Sequence, residues 1–267
     1  MSGLAAVPAG TLVDRALEAL GAGPRTSLEL ARTVLGLPNA PAAVADRLAV
    51  ALLGADPRIR RLGDDRWGLV AVATGSPLLE ECAFAVVDVE TTGVRAADDD
   101  RVTEIAVVVQ HAGRREVVFE SLVNPGRPIP PVVSAMTGIT DDAVRGAPAF
   151  ADIADQVLAA LSGRVFVAHN ARFDWAFVGS ELRRARDVVL EGPRLCTVRL
   201  SRRLVRGAGS CALDSMSAFF GLENPARHRA AGDALVTAQL LERLLPLARD
   251  HGARTLHDLH ELQRAAA

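Results

Sequence analysis

Lysine and tyrosine are absent from this 267-residue chain, and all 30 of its basic residues are arginine. Wholesale replacement of lysine by arginine, with abundant alanine, indicates genomic base composition rather than a chemical requirement. Arginine nevertheless suits phosphate, because its guanidinium is planar and always charged. The formal net charge of −2 therefore does not exclude a nucleic-acid partner, and bound metal ions would make the protein less negative still.

Long apolar runs and a basic N-terminal region are also missing, which argues against a membrane span of ~18 residues and against a signal peptide. The three cysteines, Cys82, Cys196 and Cys211, are odd in number and widely spaced. They predict buried free thiols in a reducing cytosol rather than a disulfide or a zinc site. We therefore expect a cytoplasmic protein without a membrane partner, with cores supported by a hydrophobic fraction of 49%.

The first part of the chain has the periodicity of a small α+β domain. Apolar spacing predicts helices near residues 12–20, 28–35 (capped by Ser27) and 42–53, then strands at 58–62 and 67–72. Three helices followed by a hairpin resemble a winged helix, so we predict a winged-helix-like domain over residues 1–73. Four arginines lie on the hairpin, namely Arg58, Arg60, Arg61 and Arg66.

Two interpretations of this hairpin stay open. It is either a wing that contacts a nucleic-acid backbone or a solvated hairpin on a protein-docking or packing domain. Residues 1–80 contain eight arginines and eight acidic residues, so they have no overall basic stripe. This balance slightly favours the second interpretation.

A linker is predicted at residues 74–82, followed by alternating strands and helices. Strands are expected at 83–93, 101–110, 116–123 and 165–168, and helices at 150–161, 171–186, around Leu200 and Met216, and at 230–247. This order indicates an α/β sheet with helices on its faces over residues 83–248. Residues 249–267 are predicted to be a helical tail, with His257 and His260 exposed.

Two carboxylates interrupt the first strand of this region. Residues two apart on a strand share a face, so Asp88 and Glu90 point the same way. Two further acids interrupt helical patterns: Asp174 and Asp233 fall on the apolar sides of their helices. A charged side chain facing a core is rare unless it is paired or coordinates metal.

A structural, hydrogen-bonded aspartate would be about an even alternative for any one of these acids. Four on the inner faces of one domain favour metal. Oxygen ligands select hard ions such as Mg²⁺ or Mn²⁺. Four carboxylates suit two ions ~3.5–4 Å apart that clamp a phosphodiester.

His228, five residues before Asp233, is the candidate general base, because a neutral imidazole near pH 7 can accept a proton from water. The alternative is an exposed loop histidine. His169 has a weaker claim, and we assign it to packing or substrate support.

Three segments carry a specific resemblance. Residues 87–93 (VDVETTG), 169–174 (HNARFD) and 228–233 (HRAAGD) resemble, in order, the exonuclease motifs of the DEDDh family, which includes the ε proofreading subunit of bacterial DNA polymerase III. The resemblance covers about residues 83–247. It implies an RNase H-like fold with a mixed five-stranded sheet, and metal-dependent 3′→5′ hydrolysis that releases nucleoside monophosphates.

The resemblance also implies roles for individual residues. Asp88 would bridge two metals, Glu90 and Asp233 would hold one of them, Asp174 would hold the second, and His228 would be the base. The implied substrate contacts are Thr91, Thr92, Gly93, Asn170 and Phe173. The sister subfamily uses a tyrosine near the position of His228, and the absence of tyrosine excludes that variant. Thr137 departs from the family, many members of which have histidine there.

Several functions stay open. The leading hypothesis is a DNA 3′→5′ exonuclease of proofreading or repair that acts on single-stranded or frayed 3′ ends, with a DNA polymerase or repair complex as a candidate partner. The second is an exoribonuclease like RNase T or oligoribonuclease, since nothing in the sequence distinguishes the 2′-hydroxyl. A third is a non-catalytic nucleic-acid-binding or polymerase-docking module, against which the complete set of five residues argues.

Overall fold

The computed structural model describes residues 5–8, 11–21, 23–56, 58–62, 65–69, 76–224 and 226–264. The chain divides into two compact units, Ala6–Ser76 and Pro77–Ala267, the latter together with the first five residues. No helix in the described ranges combines the length and apolarity that a membrane crossing requires.

The first elements of the chain form a small helical unit with a three-stranded sheet. They are α1 (Leu12–Gly21), β2 (Arg25–Thr26), α2 (Ser27–Thr33), α3 (Ala42–Leu53), β3 (Ile59–Leu62) and β4 (Arg66–Leu69), and a short strand, β1 (Ala5–Pro8), precedes them outside this sheet. The sheet order is β2-β4-β3, and the predicted hairpin is confirmed as the β3–β4 pair. Residues 70–75, which include the end of the predicted second strand and part of the linker, lie outside the described residues. The winged-helix assignment stays a prediction.

The prediction that Ser27 caps α2 is wrong. Thr26 is the N-cap: its hydroxyl accepts from the Glu29 N–H, and the Glu29 carboxylate accepts from the Thr26 N–H at 2.8 Å. Ser27 is instead buried one position inside the helix. Its hydroxyl accepts from the Trp67 indole at 3.0 Å and donates towards Asp46 and Asp65. A serine whose hydroxyl bonds the hairpin has a packing role that the local sequence does not reveal.

The larger unit alternates strands and helices. Its elements are β5 (Phe84–Thr91), β6 (Val102–His111), β7 (Arg114–Leu122), α4 (Pro131–Thr137), α5 (Asp141–Val144), α6 (Phe150–Leu161), β8 (Val165–Ala168), α7 (Ala171–Arg186), β9 (Val188–Glu191), β10 (Arg194–Cys196), α8 (Thr197–Leu204), α9 (Leu213–Phe220), α10 (Ala230–Asp250) and α11 (Leu256–Arg264). The sequence prediction omits the short α4, α5, β9 and β10.

A mixed five-stranded sheet in the order β10-β8-β5-β6-β7 forms the centre of this unit, which confirms the predicted fold. β5, β6 and β7 are antiparallel neighbours, whereas β8 and β10 run parallel to β5. Alternate residues of β5 pack into two different hydrophobic cores, one on each face of the sheet. Ala85 and Val87 pack with α6 and α7, and Phe84 and Val86 pack with α8, α10 and α11. Each face of the sheet is therefore covered by helices.

Both ends of the predicted larger domain are packed against it. Leu79 and Cys82, placed in the predicted linker, and Leu259 of the predicted tail are buried in one core cluster. The domain boundaries themselves stay a prediction. The expectation of an exposed His260 is wrong, because its Nε2 is buried, and burial lowers the pKa of this imidazole to about 4. Cys82 and Cys196 are buried free thiols as predicted, whereas Cys211 is only half-buried.

Candidate metal and catalytic site

The C-terminal half of β5 carries the first two carboxylates. Val87 and Val89 are buried, while Asp88 and Glu90 project from the opposite face and remain half-buried. Burial, followed by the charge of Asp174, raises the pKa of Asp88 well above its ordinary value. Burial and the charge of Asp233 raise the pKa of Glu90 to about 7. The strand thus directs like charges towards the two other predicted acids.

Asp174 lies in the first turn of α7 and is only 4% exposed. The helix begins after Asn170, whose φ of 78° lies in the left-handed region that asparagine tolerates better than most residues. Burial raises the pKa of Asp174 to about 8, although backbone hydrogen bonds oppose the shift. Farther along α7, the buried Glu181 accepts from Arg101 at 2.7 and 2.8 Å, which fixes the helix to the start of β6.

Asp233 lies in the first turn of α10 and holds the loop before it. Its Oδ1 accepts from the Asn224 amide at 2.5 Å, and its Oδ2 accepts from the His228 backbone N–H at 3.0 Å. Burial raises the pKa of Asp233, and these hydrogen bonds partly offset the shift. His228 itself adopts φ 59°, a conformation that costs a non-glycine residue of order 1 kcal/mol or more and recurs at functional sites.

Two residues that the sequence prediction missed shape the same loop. Gly232 faces the Ala226 carbonyl so closely that a Cβ would clash with it. Glu104, opposite Glu90 on β6, accepts from the Arg229 guanidinium at 2.6 and 3.0 Å and from the Ala230 N–H at 2.8 Å. This ion pair ties the start of α10 to the sheet. The signal that identified Asp88, a charge within an apolar strand, applies equally to Glu104.

The donor set fits a hard divalent cation. Glu90, His228 and Asp233 each offer one ligand atom, and these atoms lie within 4.8 Å of one another. Asp88 and Asp174 interact with this group strongly enough to raise carboxyl pKa values. Throughout the described ranges, no guanidinium is within hydrogen-bonding distance of any of the four acids. The charge of Arg229 opposes the upward pKa shift of Glu90 without reversing it. Carboxylate oxygens gathered in this way suit Mg²⁺ or Mn²⁺.

Comparison with known proteins agrees with this geometry. The sequence model of the RNase T exonuclease family matches residues 85–241, which contain all five residues of the site. The chain belongs to the exonuclease family. A DNA polymerase III subunit epsilon-like protein of Rhodobacter capsulatus is 40% identical over 184 residues, which are 66% of this chain and 26% of that protein. The DNA polymerase III subunit epsilon of Treponema pallidum is 35% identical over 62% of this chain and 78% of its own length.

The exonuclease fold is also found among solved structures. Exonuclease X in complex with 5′ overhanging duplex DNA superposes with a TM-score of 0.54 and 26% identity, covering 67% of this chain and 99% of that one. The chain spans between 14% and 29% of the length of the first four curated relatives. The likeness to them therefore concerns the exonuclease domain.

The predicted substrate contacts differ in how accessible they are. Thr92 is buried, its hydroxyl accepts from the Arg101 N–H, and its own N–H donates to the Arg101 carbonyl at 2.8 Å. Gly93 lies against the Asp100 carboxylate, where a Cβ would clash. Asn170 is exposed beside the site, whereas the Phe173 ring packs on Phe177 at 4.8 Å. Thr92 is thus engaged in the β5–β6 connection, while Asn170 is accessible.

His169 does not join the acids. Its Nδ1 lies 2.9 Å from the Thr197 hydroxyl, and burial lowers its pKa to about 4. A neutral, buried imidazole that bridges β8 to α8 agrees with the predicted packing role rather than with a base.

Proposed function

We propose that the larger unit is a 3′→5′ exonuclease of the DEDDh subtype that hydrolyses DNA to nucleoside monophosphates in proofreading or repair. The observation that carries the proposal is the convergence of Asp88, Glu90, Asp174 and Asp233, all with raised pKa values, beside His228. Membership of the exonuclease family and the likeness to epsilon subunits support the reaction. The solved neighbour with overhanging duplex DNA supports DNA as substrate.

Each residue has a defined task in this proposal. Asp88, Glu90, Asp174 and Asp233 would hold two divalent cations. Bound there, such cations would supply neutralisation of the phosphodiester charge and a lower pKa for water. The His228 imidazole accepts the proton of the attacking water, and the oxygen of that water bonds to phosphorus. The bond from phosphorus to the 3′ oxygen breaks, and the departing 3′ oxygen takes a proton from solvent. The products are a nucleoside 5′-monophosphate and a shortened strand with a new 3′-hydroxyl.

The loop geometry suits this role for His228. Its backbone N–H is bound to the Asp233 carboxylate, so the imidazole is held beside the acid that follows it on α10. Base catalysis by a positioned side chain contributes ~10²–10⁴-fold.

Digestion of 5′-labelled single-stranded DNA, a mismatched duplex and RNA, each with Mg²⁺ or Mn²⁺, tests the proposal. We expect a ladder that shortens from the 3′ end of DNA. Asp88→Asn should lower the rate by roughly 10³-fold, since the charge stabilisation is worth several kcal/mol, and His228→Gln by ~10²–10⁴-fold.

Asp155→Asn is the matched control, because Asp155 is an exposed partner of Arg186 outside the proposed ligand set. Full activity in EDTA or in Asp88→Asn would refute the metal-dependent mechanism. Preferential digestion of RNA would assign the substrate to the exoribonuclease alternative.

A further inference from the structure

Helix α8 displays a row of arginines without a counter-ion among the residues that the structure describes. Arg199, Arg202 and Arg203 have the i, i+3, i+4 spacing that places side chains on one face of a helix, and Arg206 follows two residues after the helix ends. Leu200 and Leu204 occupy the opposite, buried face. Within the ranges that the structure describes, none of these four guanidinium groups forms a hydrogen bond or an ion pair.

Most arginines elsewhere in the larger unit are paired. Arg101 bonds Glu181, Arg186 bonds Asp155 and Arg229 bonds Glu104, as do others with nearby acids or carbonyls. The remaining arginines of this unit without a side-chain partner in the described ranges, Arg114, Arg172 and Arg243, are isolated from one another in sequence. In the described ranges, unpaired arginines are therefore concentrated within the eight residues 199–206, although the formal net charge of the chain is −2.

Helix stability does not account for the whole row. Arg202 and Arg203 lie in the last turn of α8, where the helix dipole favours positive charge. Arg199 lies in the first turn, where the same dipole opposes it. Its placement therefore requires another reason, such as an external anion.

The sheet order places the start of α8 at the edge of the sheet that carries the acids. β5, β8 and β10 are parallel, so Thr91, Ala168 and Cys196 end at the same edge. Cys196 pairs with Ala168, the residue after Val167, and Val167 pairs with Val86. Because neighbouring strands are ~4.8 Å apart, the end of β10 lies ~10 Å to the side of Val87, the residue before Asp88. The exposed Arg172, in the first turn after β8, lies on the path between them.

We propose that Arg199, Arg202, Arg203 and Arg206 form a second binding surface for the sugar-phosphate backbone of the DNA strand whose 3′ end occupies the site. The inference rests on the proposed function, since it assumes that a nucleic-acid strand enters at Asp88 and Glu90. A strand that leaves this site across the ends of β8 and β10 meets α8 a few nucleotides upstream. Guanidinium groups bind phosphate oxygens without reading bases, so the surface holds the strand independently of its sequence.

A salt titration of DNA binding tests the surface. The full chain in EDTA is titrated against a fluorescein-labelled 20-mer of thymidine between 50 and 300 mM KCl. For Arg202→Gln/Arg203→Gln/Arg206→Gln, we expect the slope of log K against log [salt] to become less negative by about 2, at ~0.7 per lost phosphate contact. The same relation gives about 100-fold weaker binding at 0.1 M salt.

Arg114→Gln is the matched control. Arg114 is an exposed arginine at the β6–β7 turn, and because β6 runs antiparallel to β5 this turn lies at the opposite end of the sheet. We expect its slope to equal that of the wild type. An unchanged slope in the triple variant, or an equal decrease in Arg114→Gln, would overturn the proposal.

Substrate length separates this surface from the active site. With Mg²⁺, the triple variant should hydrolyse a trinucleotide at the wild-type kcat/KM, because so short a strand does not reach α8, and should lose most of its kcat/KM on the 20-mer through KM. Equal losses on both lengths would refute the surface and leave the exonuclease intact. A reduced salt slope in a protein without nuclease activity would instead retain the surface and refute the proposed function.

Discussion

At the scale of single residues, the protein alone does not stabilise the charged form of the four acids of the site. Burial and mutual repulsion raise their pKa values, and in the described ranges no guanidinium is bonded to them. Carboxylates in such a position either retain protons or bind cations. The cluster of acids therefore destabilises the metal-free protein, and bound metal ions would offset this loss of stability.

Asp174→Asn should therefore stabilise the metal-free protein at alkaline pH. The pKa of Asp174 is about 8 in the folded state against an ordinary value of 3.8, so the folded state binds more protons between these values. Its stability consequently falls as the pH rises through this window. Thermal unfolding in EDTA should give a drop in Tm from pH 5 to pH 8 that is smaller in the variant than in the wild type.

Asp155→Asn is the control for this measurement. Arg186 lowers the pKa of the exposed Asp155, which is therefore ionised throughout the window, so its removal should leave the pH dependence of Tm unchanged. Mg²⁺ at pH 8 should raise the Tm of the wild type more than that of Asp174→Asn. Identical pH profiles for wild type and Asp174→Asn would contradict the assignment of a raised pKa.

At the scale of elements, the loop that carries His228 is shaped by its contacts with α10 and β6. Asp233 bonds the loop backbone, and Arg229 is fixed to Glu104 on the sheet. Gly232 lets the Ala226 carbonyl approach the helix. The position of the imidazole therefore depends on close packing at a residue that has no side chain.

Gly232→Ala should impair catalysis more than it impairs folding. A methyl group would push the Ala226 carbonyl away and displace His228, and a misplacement of ~1 Å costs roughly 100-fold in rate. We expect kcat on single-stranded DNA to fall by about this factor, while the substrate affinity measured in EDTA changes little.

Gly179→Ala makes the same substitution within α7, where no described residue beyond the helix's own backbone lies within 4 Å of the new methyl group. Because alanine is the better helix former by ~1 kcal/mol, this control should be as active as the wild type and as stable or more so. Comparable losses of activity in both variants would contradict a specific role for the close contact between Gly232 and the Ala226 carbonyl.

At the scale of the whole molecule, the smaller unit engages most arginines of its hairpin in contacts within the protein. In the smaller unit, Arg58 bonds Asp56 at 2.8 Å, Arg61 bonds Asp46 at 2.7 Å and Arg66 donates to the Pro24 carbonyl. Three of the four hairpin arginines are therefore engaged within the protein. This pairing favours the interpretation of the hairpin as a solvated structural element.

Arg60→Gln/Arg66→Gln in the full chain should accordingly leave DNA binding unchanged. Both side chains are on the β3–β4 hairpin, and we expect the salt slope measured with the 20-mer to stay within ~0.7 of the wild-type value, less than one phosphate contact. A slope reduced by more than ~1 would instead make the hairpin a nucleic-acid contact.

The sequence was most informative where a residue conflicts with a local pattern. Asp88 in an apolar strand and Asp174 on an apolar helical stripe are recognisable without coordinates, because periodicities of two and 3.6 residues assign each to a face. Long helices such as α6 and α7 were likewise predictable from their own periodicity. Short elements were not: β10 has three residues and exists through its pairing with β8.

The sequence by itself therefore determined the α/β class, the acids that fit a metal site and the histidine beside them. Tertiary structure decided how these residues are held. The Glu104–Arg229 and Glu181–Arg101 ion pairs join residues 125 and 80 positions apart, and the contact at Gly232 depends on a loop folding back on its helix. Local patterns specify which face a side chain occupies, whereas contacts across such separations arise only when the sheet has assembled.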